Sequence, residues 1–178
     1  MRVLVPLAEG FEEIESLTII DVLRRAGIEV DVVGIPSSIV KGSRGVRVIA
    51  DKKLNEIDPD EYDGIILPGG NPGYINLGKS SKLLEILKRM NAQGRLIGAI
   101  CAAPLVLVKA GILKNRKATV YPGLEKEIPH PRDEDVVVDE NIITSKGPGT
   151  SMKFALKIVE ILLGKSKSES LKKKLLVR

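Results

Sequence analysis

The chain of 178 residues has one cysteine, one histidine and no tryptophan, and aromatic residues make up only 3% of it. A lone cysteine, Cys101, excludes an intrachain disulfide and any zinc cluster built from several thiolates. A lone histidine, His130, excludes a histidine-rich metal site, so no metal or other cofactor is expected. No apolar run approaches the roughly 20 residues that a membrane-spanning helix needs, and Met1–Leu7 lacks the pattern of a secretory signal. The expectation is a cytoplasmic protein with no membrane partner. Scarce aromatics also leave few stacking platforms for single-stranded nucleic acid. The net charge of +5 arises in Lys165–Arg178, which holds six basic residues and one acid. The rest of the chain is neutral, so the basic stretch reads as a solvated C-terminal helix and no nucleic-acid partner is expected.

What is present is an alternation of short apolar runs with helical patterns. Val3–Val5, Val30–Val33, Gly64–Leu67 and Leu96–Ile100 read as buried strands, and Val46–Ala50 as a shorter, peripheral one. Phe11–Ala26 has helical periodicity and stops at Gly27. Ser80 and Ser81 can cap a helix running to Ala92, and Ala102–Ala110 reads as a helix closed by Gly111. Further on, Ala118–Val120, Val136–Val138 and Ile142–Thr144 read as strands and Thr150–Leu163 as a helix. Leu171, Leu175 and Leu176 could dock the basic tail on the body. This pattern predicts one α/β domain over residues 1–178, with a mostly parallel sheet covered on both faces.

Cys101 draws attention by position. Ligands bind beyond the carboxyl ends of strands in open α/β sheets, and Cys101 directly follows the strand ending at Ile100. The segment Gly98-Ala99-Ile100-Cys101-Ala102-Ala103-Pro104 has the strand-to-helix layout of a nucleophile elbow, with Pro104 tolerated in a first helical turn. A thiol there faces unpaired N–H groups, which favours thiolate and a pKa below the usual ~8.5. The alternative for a lone cysteine is a small buried hydrophobe. Glu15 falls in register with Ile19, Val22 and Ala26, a stripe that faces the sheet. A buried carboxyl holds its proton to higher pH and can hand it to sulfur. Alternatively Glu15, like Glu12 and Glu13, complements the helix N-terminus from solvent. Pro68-Gly69-Gly70-Asn71-Pro72-Gly73 closes another strand, and the N–H groups of Gly70 and Ala102 could form an anion pocket, or the segment is a plain turn. Gly147-Pro148-Gly149-Thr150 is either a loop with a helix cap or a pocket wall.

Together these segments resemble the ThiJ/PfpI superfamily, and most closely its branch of the Parkinsonism-associated protein deglycase. The matching stretches are Leu7–Glu15, Asp21–Gly27, Ile66–Asn71, Ala99–Pro104 and Thr144–Thr150. The resemblance implies a flavodoxin-like three-layer sandwich and a homodimer or higher homo-oligomer. It implies that Cys101 is the nucleophile and redox-sensitive thiol and Glu15 its protonated partner. Gly70 and Ala102 would form the anion pocket, with Gly69, Asn71, Tyr121, Pro148 and Arg44 around it, Arg44 also near the dimer interface. Many members carry a histidine where this chain has Tyr121, which puts any activity needing a histidine base in doubt.

Three functions follow. The first is a cofactor-free enzyme acting on 2-oxoaldehydes or their glycated adducts, of glyoxalase or deglycase type, in protection against carbonyl and oxidative stress. The second is a redox sensor or chaperone-like protein that works by oxidation of Cys101. The third is an intracellular cysteine peptidase or amidohydrolase, which needs a histidine beside Cys101. Only His130, in a Pro-rich loop, could supply one.

Overall fold

A computed structural model describes residues 1–177. The first half builds β1 (Arg2–Ala8), α1 (Glu13–Arg25), β2 (Glu29–Ile35), the short β3 (Ile39–Lys41), β4 (Arg47–Ile49) and β5 (Lys52–Lys53), then β6 (Gly64–Leu67). There follow α2 (Gly73–Lys79), α3 (Ser81–Ala92), β7 (Leu96–Ile100) and α4 (Pro104–Lys109). The chain ends with β8 (Lys117–Ala118), β9 (His130–Pro131), β10 (Val136–Asp139), β11 (Ile142–Ser145), α5 (Ser151–Leu163) and α6 (Lys165–Lys174). Seven strands form one sheet in the order β10-β11-β7-β6-β1-β2-β5. All neighbours are parallel except β10, which returns antiparallel on β11.

Strand side chains alternate between the two faces, and β1 feeds a core on each. Leu4 and Ala8 pack with Leu77, Leu83, Leu87 and Leu107 of α2, α3 and α4. Val3, Val5 and Leu7 pack with Ile19 and Leu23 of α1 and with Phe154 and Ile158 of α5. This is the helix–sheet–helix sandwich that the alternation predicts, with β6 and β7 buried along their whole length.

Two helix boundaries are set as their residues suggest. Gly27, at φ +87°, ends α1, and the Ser80 hydroxyl caps α3 by accepting from Leu83 N at 3.2 Å. Val46–Ala50 forms the short β4, peripheral as expected, a hairpin arm paired with β3 outside the main sheet. Elsewhere the structure departs from the sequence reading. Helix α2 had no legible start, since it emerges from the Pro-Gly segment. Ala118–Val120 yields only the last residue of β8, paired with β9. In the tail, Ser168 donates to Leu156 O at 2.8 Å and Leu171 is buried, whereas Leu176 is 88% exposed and docks nothing. The expected tail helix runs to Arg178, which lies outside the described residues.

Candidate active site

The site forms where three segments meet at the carboxyl ends of β1, β6 and β7. Cys101 takes φ +65°, a left-handed conformation that costs a non-glycine residue about 1–3 kcal/mol and is held only when neighbours enforce it. Here they do: Cys101 N donates to Ser145 O at 2.9 Å, and Cys101 O accepts from Tyr121 N at 2.9 Å. Pro104 opens α4, so Cys101–Ala103 is a tight turn and the helix starts later than its sequence suggests. The elbow geometry leaves the cysteine half-buried.

Glu15 is fully buried on α1, as its register with Ile19 and Val22 requires. Glu12 fixes the helix start, its carboxylate accepting from Glu15 N at 2.7 Å. Glu15 Oε2 accepts from Gly69 N at 2.8 Å, while Oε1 is buried with no hydrogen-bond partner among the described residues. One N–H donor is poor solvation for a buried charge. Burial accordingly pushes Glu15 up to about 7, against the Gly69 N–H and the neighbouring Cys101, which pull it down.

Gly69 lies between the two side chains. A Cβ there would stand 2.6 Å from Cys101 Cβ and 2.9 Å from Glu15 Oε2, so only glycine permits the approach. Gly70, at φ +94°, is equally constrained: its Cβ would meet Glu12 N at 2.3 Å and Gly10 O at 2.4 Å. The N–H groups of Gly70 and Ala102 lie near enough to the sulfur to favour its anion. Three loops are stitched together by main chain, with Glu12 N donating to Gly69 O, Gly73 N to Gly10 O, Gly10 N to Lys41 O and Ser43 N to Phe11 O.

The thiol does not titrate in the direction that a helix N-terminus suggests. Burial pushes Cys101 up to about 12, an ionised Glu15 adds to the rise through its charge and hydrogen bond, and the Gly70 and Ala102 N–H groups oppose it. A charged Glu15 thus keeps the proton on sulfur. Once Glu15 is protonated, its negative charge no longer opposes thiolate and the two amides favour the anion. The two residues titrate as a coupled pair.

Tyr121, Pro148, Asn71 and Arg44 stand on segments that adjoin these loops. Tyr121 is half-exposed and its ring covers Gly147, where a Cβ would meet Tyr121 Cδ2 at 3.2 Å. Pro148 starts the turn into α5, and Asn71 is exposed. The Arg44 side chain is exposed, but its backbone is fixed because Arg44 N donates to Glu13 Oε1 at 2.6 Å. Glu13 is the residue that sequence reasoning placed wrongly. It is buried, accepting also from Ser43 Oγ at 3.0 Å, and ties the hairpin arm to α1. Nothing in an acidic Glu12-Glu13 pair distinguishes the capping residue from the buried one. His130 is exposed on β9, and among the described residues no hydrogen bond joins it to Cys101. Among the described residues no group of three or more His, Cys, Asp or Glu side chains is placed to hold a metal ion, and no helix is long and apolar enough to cross a membrane.

Comparison with known proteins gives consistent matches. Protein dj-1beta of Drosophila melanogaster is 44% identical over 98% of this chain and 96% of its own length. The Parkinson disease protein 7 homolog of Danio rerio is 40% identical over 99% of this chain and 97% of its own. A Caenorhabditis elegans relative named glutathione-independent glyoxalase DJR-1.2 is 42% identical over 94% of this chain and 91% of its own. The crystal structure of Drosophila melanogaster DJ-1beta superposes with a TM-score of 0.96 at 43% identity, covering 99% of this chain and 98% of that one. The structure of oxidised Toxoplasma gondii DJ-1 superposes with a TM-score of 0.95 at 43% identity, covering 98% and 97%. The profile of the DJ-1/PfpI family matches residues 1–161, and the chain belongs to that family.

Proposed function

We propose that this protein converts 2-oxoaldehydes such as methylglyoxal, free or as their early adducts, into 2-hydroxy acids without a cofactor. The observation that carries the reading is the strained elbow cysteine Cys101 packed across Gly69 from the buried Glu15 carboxyl, with the N–H groups of Gly70 and Ala102 near enough to favour an anion. The name of the Caenorhabditis elegans relative supports the same chemistry.

The Cys101 sulfur adds to the aldehyde carbon, and the carbonyl oxygen becomes an oxyanion at the Gly70 and Ala102 amides. Protonation of that oxygen gives a hemithioacetal. Glu15, with a pKa near neutrality, takes the proton from the former aldehyde carbon and returns it to the adjacent carbon. The result is a 2-hydroxy thioester on Cys101. Water then releases the hydroxy acid and regenerates the thiol. Oxidation of one carbon balances reduction of its neighbour, so no external redox partner is required. Lactate formation from methylglyoxal by wild type, Cys101→Ala and Glu15→Ala tests the scheme; equal rates in all three would refute it.

A second reading, oxidation of Cys101 to a sulfinate, has one observation in its favour. Glu15 Oε1 has no partner among the described residues, and in protonated form it is a donor for an oxygen added to sulfur. Mild peroxide should then add two oxygens at Cys101 before any methionine reacts. Peptidase chemistry is not carried forward, because the structure gives Cys101 no histidine partner among the described residues.

The protein also pairs with a second copy in this reading. Ile14 and Leu17 of α1 are 58% and 41% exposed, and Ile39 and Ile49 of the hairpin arm are 59% and 78% exposed. The Glu13–Arg44 bond brings the two elements side by side, and isolated monomers rarely leave such apolar surface uncovered.

A further inference from the structure

Helices α2 and α4 run side by side and leave a groove of about 290 Å³ between them. Its floor is carbon: Tyr74 and Ile75 from α2, Leu105 and Val106 from α4. Gly78 leaves the groove open, since it has no side chain to fill it. Two cations, Lys79 and Lys109, line it, and no acidic residue among the described residues does. Neither lysine has a carboxylate partner among the described residues. Lys79 Nζ reaches only the Asn76 side-chain oxygen at 3.3 Å. The Lys109 stem lies over Gly78, where a Cβ would stand 3.7 Å from Lys109 Cδ. Other cavities differ in charge. One of about 670 Å³ at the opposite ends of the strands sets Asp60, Glu61, Asp63 and Glu140 beside Arg95, and the groove between α5 and α6 mixes lysines with Glu160 and Glu169.

We propose that the α2–α4 groove binds a single-chain amphiphile with an anionic head, the chain on the apolar floor and the head between Lys79 and Lys109. The cation pair selects the sign of the head, since two unneutralised ammonium groups repel a cationic ligand and attract an anionic one. Lysine acts as a point charge without bidentate geometry, so charge is read and head shape is not. The volume sets the length: it equals about ten water volumes, which matches the ten or so heavy atoms of an eight-carbon carboxylate. This site involves none of the residues assigned to the carbonyl chemistry and does not depend on that reading.

Octanoate is the probe, titrated into the full chain and followed by ¹H–¹⁵N NMR, with octylammonium in parallel. Octanoate should shift resonances of 73–79 and 104–109 saturably, with a Kd on the order of 1 mM or tighter, as expected for so few atoms. Octylammonium should bind at least about ten-fold more weakly, as two opposed charges near a surface imply. Gly78→Leu fills the groove from a helical position with space around its Cβ, and should weaken octanoate at least about ten-fold, a methylene-filled site losing most of its apolar contact. The double variant Lys79→Glu/Lys109→Glu should reverse the preference and keeps the test open if Gly78→Leu fails to fold. No octanoate binding, equal affinity for the two ions, or unweakened binding to a folded Gly78→Leu variant each overturns the proposal. So does a change of sedimentation behaviour in Gly78→Leu, which would make a second copy of the chain the occupant.

Discussion

Replacing Glu15 by glutamine should change how stability depends on pH, and the structure fixes both the window and the sign. Glu15 is fully buried, has one N–H donor and titrates at about 7 in the fold against an ordinary value of 4.5. Between these values the native protein holds a proton that the unfolded chain has released. Its contribution is therefore full below pH 4.5 and is lost as pH rises through 7. The gap corresponds to about 3 kcal/mol. Glutamine keeps the shape and the acceptor for Gly69 N but has no charge to bury. Urea unfolding of both proteins at pH 4.5 and pH 8 measures the effect. Glu15→Gln should gain about 3 kcal/mol relative to wild type between the two conditions. Because the charge of Glu15 helps to push the Cys101 thiol up, the comparison is made in a Cys101→Ala background, and the Glu13 and Asp31 carboxylates cancel in the difference. A gap between the two proteins that stays constant across the window would refute the assignment of Glu15 as a buried acid that ionises near neutrality.

Gly69→Ala puts a methyl group 2.6 Å from Cys101 Cβ and should lower lactate formation at least about 100-fold, as small misplacements of reacting groups do; alkylation of Cys101 should slow in parallel. Tyr62→Phe removes the 2.6 Å bond to Asp31 Oδ2 and should cost about 1–3 kcal/mol in urea unfolding. Burial alone would raise Asp31, but the Tyr62 and Lys52 hydrogen bonds and the Arg2 charge hold it below the ordinary range. Stability from that group is present above pH 4 and lost on acidification, and Tyr62→Phe should reduce the loss. Under the pairing proposed above, Ile14→Glu and Ile49→Glu should each sediment as a monomer where the wild type sediments as a pair, with the thermal midpoint of the single chain unchanged. Leu171→Ala empties the contact of α6 on α5 and should cost about 2–4 kcal/mol, read by hydrogen exchange along Lys165–Lys174.

The parts of this molecule that show in its sequence are those where one physical demand repeats along the chain. The strands of the sheet carry continuous apolar runs because both faces are covered, and α1 carries its stripe because one side meets β1. Cys101 and Glu15 were legible for the same reason, one ending an apolar strand and the other standing in register with Ile19. What stayed hidden depends on contacts between distant segments. The Glu13 carboxylate is buried only because the Ser43–Val46 loop folds over it. Helix α2 starts in a segment whose glycines and prolines read as a turn. The thiol's upward titration comes first from burial and then from an acid some 86 residues away in sequence, which together outweigh the local pull of the elbow amides. Leu176 looks like Leu171 in the sequence, but the chain has left the helix by then.

The floor beneath the sulfur is made of peptide groups, because the Gly10, Gly69 and Gly70 loops are laced to one another through main-chain bonds. Such a floor has no side chain to mutate apart from the absence of one. Substitution of Asn71, Tyr121 or Pro148 can therefore reshape the surface around this floor, while the main-chain polarity beneath the sulfur stays as it is.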